Sequence, residues 1–123
     1  MSKPTRWWVA TACYAAVIAI VSVIPIPPST PKGLLSLDKA LHLCEYGLLA
    51  WLLMMSARRS AWKFGASLLT AFVGAAAYGA LWEAVQAFLP YRAAELADVV
   101  VNTLGAGVGV GINLLMSSRS DVS

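Results

Sequence analysis

Apolar residues in this chain gather in long runs and do not alternate with polar ones. The first run extends from Trp7 to Ile24, and three more follow it. Each is long enough to cross a hydrocarbon core, which needs roughly 20 helical residues. The pattern predicts four helices, at about 7–24, 37–57, 61–88 and 95–117. Pro25 ends the first, and the stretch from Pro25 to Pro31 cannot continue it. The second opens behind Ser36, a suitable N-cap, although Lys39 stands where a capping box needs Glu or Gln. A basic segment, Arg58-Arg59-Ser60, separates the second helix from the third. The third outlasts a single span, so it tilts or its far end emerges from the hydrocarbon. Pro90 stops it, and Tyr91-Arg92 form the turn into the fourth.

A β-barrel needs short alternating strands, and a soluble bundle needs polar faces throughout; neither pattern is present. The expected fold class is therefore all-α, an integral membrane bundle of four transmembrane helices forming one domain over residues 1–123. Composition agrees. Hydrophobic residues make up 59% of the chain and charged residues 12%, against about 25% charged in soluble domains. The basic start and apolar first run resemble a signal peptide. The run is long enough to span and no small-x-small cleavage site follows it, so an uncleaved first helix is expected.

The net charge of +3 does not indicate nucleic acid, because the basic residues stand at the ends of apolar runs. Lys3 and Arg6 precede the first helix, Arg58, Arg59 and Lys63 lie between the second and third, and Arg119 follows the fourth. In a four-span chain these sites share one side, which the positive-inside rule makes cytoplasmic. Both termini are expected there, in a bacterial inner membrane, with the proline-rich connection and the Pro90–Glu95 turn facing outward. Cys13 and Cys44 form no Cys-x-x-Cys pair and are expected as small buried hydrophobes. Trp7, Trp8 and Trp62 read as interface anchors, Trp82 as belt or pocket wall, and Trp51 as lipid-facing or packed.

The fourth helix carries small-xxx-small pairs, Gly105 with Gly109 and Gly107 with Gly111, and the third carries a small stripe from Gly74 to Ala80. Such residues admit a neighbouring backbone. Close packing of the third and fourth helices is expected, and the Gly105/Gly109 stripe also offers a route to a homo-oligomer.

Charge near the hydrocarbon is costly and normally faces a bundle interior or a wet cavity. Here it concentrates at the outward ends of three helices. On the second, Asp38, His42 and Glu45 follow spacings of four and three, with Tyr46 adjacent. On the third, Glu83 and Gln86 are three apart. On the fourth, Glu95, Asp98, Asn102 and Gly105 share a face, and Arg92 stands in the preceding turn. One outward pocket collects these stripes economically.

Two readings of that pocket stay open. In the functional one, Arg92 and Lys39 hold an anion, since guanidinium matches phosphate geometry. His42, Glu45 or Glu83 then moves a proton, and a neighbouring carboxylate fixes the imidazole tautomer. In the structural one, the same residues lock helix register, for example Glu83 with Arg92 or Asp98 with Lys39. A single histidine gives no metal-binding pair, so neither a metal nor another cofactor is expected. No Ser or Cys is placed beside His42 for nucleophilic attack.

The spacing of these residues resembles the VanZ-like family of small bacterial membrane proteins. The matching pieces are Asp38-Lys39-x-x-His42-x-x-Glu45-Tyr46-x-x-Leu49, Glu83-x-x-Gln86-x-Phe88-x-Pro90-x-Arg92, and Asp98-x-x-x-Asn102-x-x-Gly105-Ala106-x-x-Gly109. Pro90-Tyr91-Arg92 stands where the family often has Pro-Gly-Arg. The resemblance implies a bacterial envelope protein and, through the family's named member, a link to resistance against the glycopeptide teicoplanin. It transfers no catalytic residue. The expected function is binding or modification of an anionic lipid-linked headgroup at the outer face, with membrane lipids or a lipid-linked glycan precursor as partner. His42, Glu45 and Glu83 are the catalytic candidates, with Asp38, Lys39, Tyr46, Gln86, Arg92, Asp98 and Asn102 as substrate-binding candidates. Gly105 and Gly109 are the packing candidates. The rivals are a non-catalytic subunit of an envelope complex and a small oligomeric transporter.

Overall fold

The computed structural model describes residues 2–24, 37–91 and 94–122, with the side chains of residues 37, 38 and 118–122 outside that description. The proline-rich connection, Ser36 and Arg92 therefore also lie outside the described residues. The described chain forms four α-helices and no strand: α1 (Lys3–Val23), α2 (Leu37–Arg59), α3 (Phe64–Ala87) and α4 (Leu96–Val122). All four are long and apolar enough to cross a membrane.

Local chemistry moves three helix ends away from the apolar-run boundaries. α1 begins at Lys3 instead of near Trp7, because the Ser2 side chain caps it by accepting from the Thr5 amide at 3.3 Å, and Pro4 suits the first turn. α4 continues to Val122, past the end of its apolar run at Met116. α3 begins at Phe64 instead of Ala61, because α2 ends in a Schellman turn. The Trp62 amide donates to the Ala57 carbonyl and the Ala61 amide to that of Arg58, each at 3.1 Å. Glycine usually fills the left-handed position of this turn; here Ala61 holds it, with φ of 62°.

α2 is the central helix. It packs most extensively on α4, and also on α3 and α1; among the described residues α1 and α4 do not pack together. The Gly105/Gly109 pair explains the close α2–α4 approach. A Cβ on either would fall closer than 3.0 Å to the backbone of Leu43 or Gly47. The close partner of this glycine pair is thus α2 and not α3, and the pair is occupied within one copy of the chain, so a homo-oligomer through it would have to open this contact. Gly111, on another face of α4, meets open space.

α3 buries one residue per turn, Ser67, Ala71, Ala75, Gly79 and then Glu83. The apolar core lies between these small residues and Tyr46, Leu49, Ala50, Met54, Ala106 and Val110, with Ile18 closing the α1 side. Many large apolar side chains point outward, including Ile20, Leu69, Leu104 and Leu115, as a lipid-facing surface requires.

α1 is tied on by hydrogen bonds along its length. Thr11 and Ser56 share a hydrogen bond of 2.8 Å, the Trp8 indole donates to Ser60 at 2.7 Å, and Tyr14 donates to the Glu45 carbonyl at 2.9 Å. Tyr78 donates to the Ala15 carbonyl at 2.7 Å. Cys13 and Cys44 are free thiols on the outer surface, not in the core. A weakly polar thiol costs little against lipid, so the apolar setting of each cysteine did not require burial.

Candidate functional site

At the end of the bundle where α2 and α4 begin and α3 finishes, the helices bring a polar cluster together. Lys39 is the hinge of it. Its ammonium donates to Asp98 Oδ1 at 2.5 Å and to Glu95 Oε2 at 2.7 Å, and the Lys39 and Asp98 side chains are each only 6% exposed. One helical turn further along α2, His42 faces α4. Its Nδ1 lies 3.1 Å from Asn102 Oδ1 and its Nε2 lies 3.9 Å from Asp98 Oδ2. The Asn102 oxygen can only accept, so Nδ1 is the donor of that pair.

Asn102 is itself buried. It fits because Gly79 stands opposite: a Cβ there would fall 2.9 Å from Asn102 Nδ2 and 3.1 Å from the Tyr46 ring. Glu83 closes the cluster from α3. It is 6% exposed, and its Oε1 accepts from the Glu95 amide at 2.6 Å, which ties the end of α3 to the start of α4. A carboxylate at a helix start also complements the exposed amides there.

The structure thus gathers Lys39, His42, Glu83, Glu95, Asp98 and Asn102 from three helices. Glu95 belongs to the α4 stripe in the sequence but was not among the expected site residues; its position one turn ahead of Asp98 is the signal that places it. Tyr46 is buried beneath the cluster and walls it without opening to a ligand. Gln86 is not part of it. Its amide donates to the Ser22 carbonyl at 2.9 Å, and the Tyr91 hydroxyl donates to the Val23 carbonyl at 2.6 Å. These two side chains satisfy the last carbonyls of α1, which have no partner within the helix. The Glu45 carbonyl accepts from the Tyr14 hydroxyl of α1 at 2.9 Å, and its side chain is half-buried. Asp38 and Arg92 fall outside the described side chains.

Accessibility divides the cluster. His42 is 20% exposed and Glu95 30%, whereas Lys39 and Asp98 are closed off. The described groups comprise one ammonium, from Lys39, and three carboxylates, from Glu83, Glu95 and Asp98, so acidic groups outnumber basic ones among them. Lys39, expected to hold an anion, is instead engaged by two carboxylates.

Four membrane-spanning helices with a polar cluster at one end define a multi-pass membrane protein. The chain belongs to the VanZ/LLP1 family, whose family model matches residues 5–117 and so includes α1, the helix without an identifying motif. No curated protein and no solved structure matches the chain.

Proposed function

We propose that the chain binds the polar headgroup of a lipid-linked envelope precursor at the outward face of a bacterial inner membrane, with His42 as the group that exchanges a proton with it. The observation that carries this reading is the His42 environment. Asn102 fixes the imidazole at Nδ1, the His42 side chain is 20% exposed, and Asp98 Oδ2 lies 3.9 Å from Nε2, where it stabilises an imidazolium. Fixing one ring nitrogen so that the other works as acid or base is how a histidine is prepared for proton transfer.

The charge of the cluster refines the ligand. Its carboxylates and the imidazole accept hydrogen bonds from hydroxyl, amide or amine groups of a glycan headgroup. The phosphate of such a lipid falls to Arg92, three residues before Glu95 in the sequence, since guanidinium can grip phosphate with two parallel bonds. Membership of the VanZ/LLP1 family supports an envelope role and a link to glycopeptide resistance of the VanZ type.

The test compares lipid-linked cell-wall intermediates in cells lacking the chain, in cells with the wild type, and in cells with His42→Gln at equal membrane level. The expected outcome is a shifted profile without the chain that His42→Gln fails to restore. Full restoration by His42→Gln would remove the proton-transfer role.

A second reading has its own support, because Lys39, Asp98, Glu95 and Glu83 engage one another. A register-locking network of this kind would leave the lipid profile unchanged in His42→Gln and lower only thermal stability.

A further inference from the structure

The opposite end of the bundle carries a second concentration of charge that the polar cluster does not use. Six of the nine cations belong to it by position: Lys3, Arg6, Arg58, Arg59, Lys63 and Arg119. Of the six carboxylates, Asp121 alone does. Topology requires only that such cations lie on one side of the membrane. It does not require them to share a cavity.

Three of them do. A cleft of about 460 Å³ opens between the start of α1 and the end of α2, lined by Lys3, Arg6, Trp7, Ala10 and Arg59. That volume lies within the range of roughly 300–1,000 Å³ typical of small-ligand sites. None of the described lining residues is acidic, and no carboxylate pairs with Lys3, Arg6 or Arg59 among the described residues. Three like charges facing one cleft repel one another until an anion arrives.

The cleft is also built to keep its shape. The Trp7 ring that lines it packs edge-on against Trp51 at 5.7 Å between centroids. Immediately beside it, the Trp8–Ser60 and Thr11–Ser56 hydrogen bonds clamp α1 to α2, so cations from two separate helices are held at a fixed separation. Arg58, by contrast, turns away and lies over the Phe64 ring at 5.6 Å. An indole beside guanidinium groups at the end of a membrane helix suits the interface, where apolar and charged parts of one lipid meet.

From this arrangement we propose that the cleft is a binding site for an anionic phospholipid headgroup, with Arg6, Arg59 and Lys3 on the phosphate and Trp7 against the glycerol and upper acyl chain. The site is independent of the reading given to the polar cluster, which lies at the other end of the bundle.

The experiment places the purified chain in nanodiscs of mixed phosphatidylcholine and phosphatidylglycerol, extracts it gently, and reads retained lipid by native mass spectrometry. The wild type is expected to retain phosphatidylglycerol over phosphatidylcholine by on the order of thirty- to hundredfold, the scale set by two or three basic residues at an anionic surface. Arg6→Gln/Arg59→Gln is expected to abolish that preference. Arg58→Gln/Lys63→Gln, which removes the same charge from the same end outside the cleft, is expected to keep it. Circular dichroism establishes that each variant is folded. Equal loss in both double variants would overturn the proposal in favour of bulk charge, and absence of any preference in the wild type would overturn it outright. Inorganic phosphate in lipid-free micelles, raising the wild type's melting temperature as much as phosphatidylglycerol does, would also overturn it, by assigning the cleft to a free anion.

Discussion

At the scale of single residues, Lys39 and Ala61 carry the clearest consequences. Lys39 lies buried between Asp98 and Glu95. Removing the ammonium leaves the Asp98 carboxylate buried without its short ion pair, a change that costs about 3–5 kcal/mol in buried pairs. Lys39→Met is therefore expected to lower stability by that order, read by thermal unfolding in detergent. Ala61 presents the opposite case. Left-handed backbone costs a non-glycine residue roughly 1–2 kcal/mol, and glycine returns roughly 0.5–1 kcal/mol of that in unfolded-state entropy. Ala61→Gly is expected to stabilise the chain by about 0.5–1 kcal/mol in the same assay.

These residues also show what the sequence could convey. Lys39 and Asp98 were legible as site residues from their place on polar stripes, yet not which charge would neutralise which. Spacing alone puts Gln86 in the pocket, because it shares a face with Glu83. Three residues along a helix still leave side chains about 60° apart around the axis. At the edge of a helix contact that angle is enough to send Glu83 toward Glu95 and Gln86 toward Ser22.

At the scale of elements, the helices follow directly from the apolar runs, because a backbone in hydrocarbon must satisfy its own hydrogen bonds. Their partners do not follow so directly. A small-residue stripe permits close approach but does not say whose backbone approaches. Gly105 and Gly109 suit α3 as well as α2 in sequence, and the mutual fit with Gly47 decides for α2. The two glycine pairs of α4 should accordingly respond differently. Gly109→Ala forces a methyl group onto the Gly47 carbonyl and is expected to destabilise by about 1–3 kcal/mol. Gly111→Ala meets open space and is expected to be neutral or to gain up to about 1 kcal/mol from helix propensity. Equal melting temperatures for the two variants would contradict the α2–α4 contact.

At the scale of the whole molecule, charge is sorted by end. The cations of Lys3, Arg6, Arg58, Arg59 and Lys63 lie at one end and the carboxylates of Glu83, Glu95 and Asp98 at the other. With Cys13 and Cys44 replaced by Ala, a membrane-impermeant maleimide is expected to label Ala94→Cys in intact cells. It is expected to label Lys63→Cys only after permeabilisation. The reverse pattern would turn the polar cluster toward the cytoplasm.

The central claim is that the cluster of Lys39, His42, Glu83, Glu95, Asp98 and Asn102 receives a headgroup and does more than hold helices in register. Its most direct test is an experimental structure of the chain purified with native lipid. The account predicts headgroup density within hydrogen-bond distance of His42 Nε2, continuing toward Arg92. Well-ordered density for the cluster, with His42 sealed by protein atoms and no headgroup at its open edge, would contradict it.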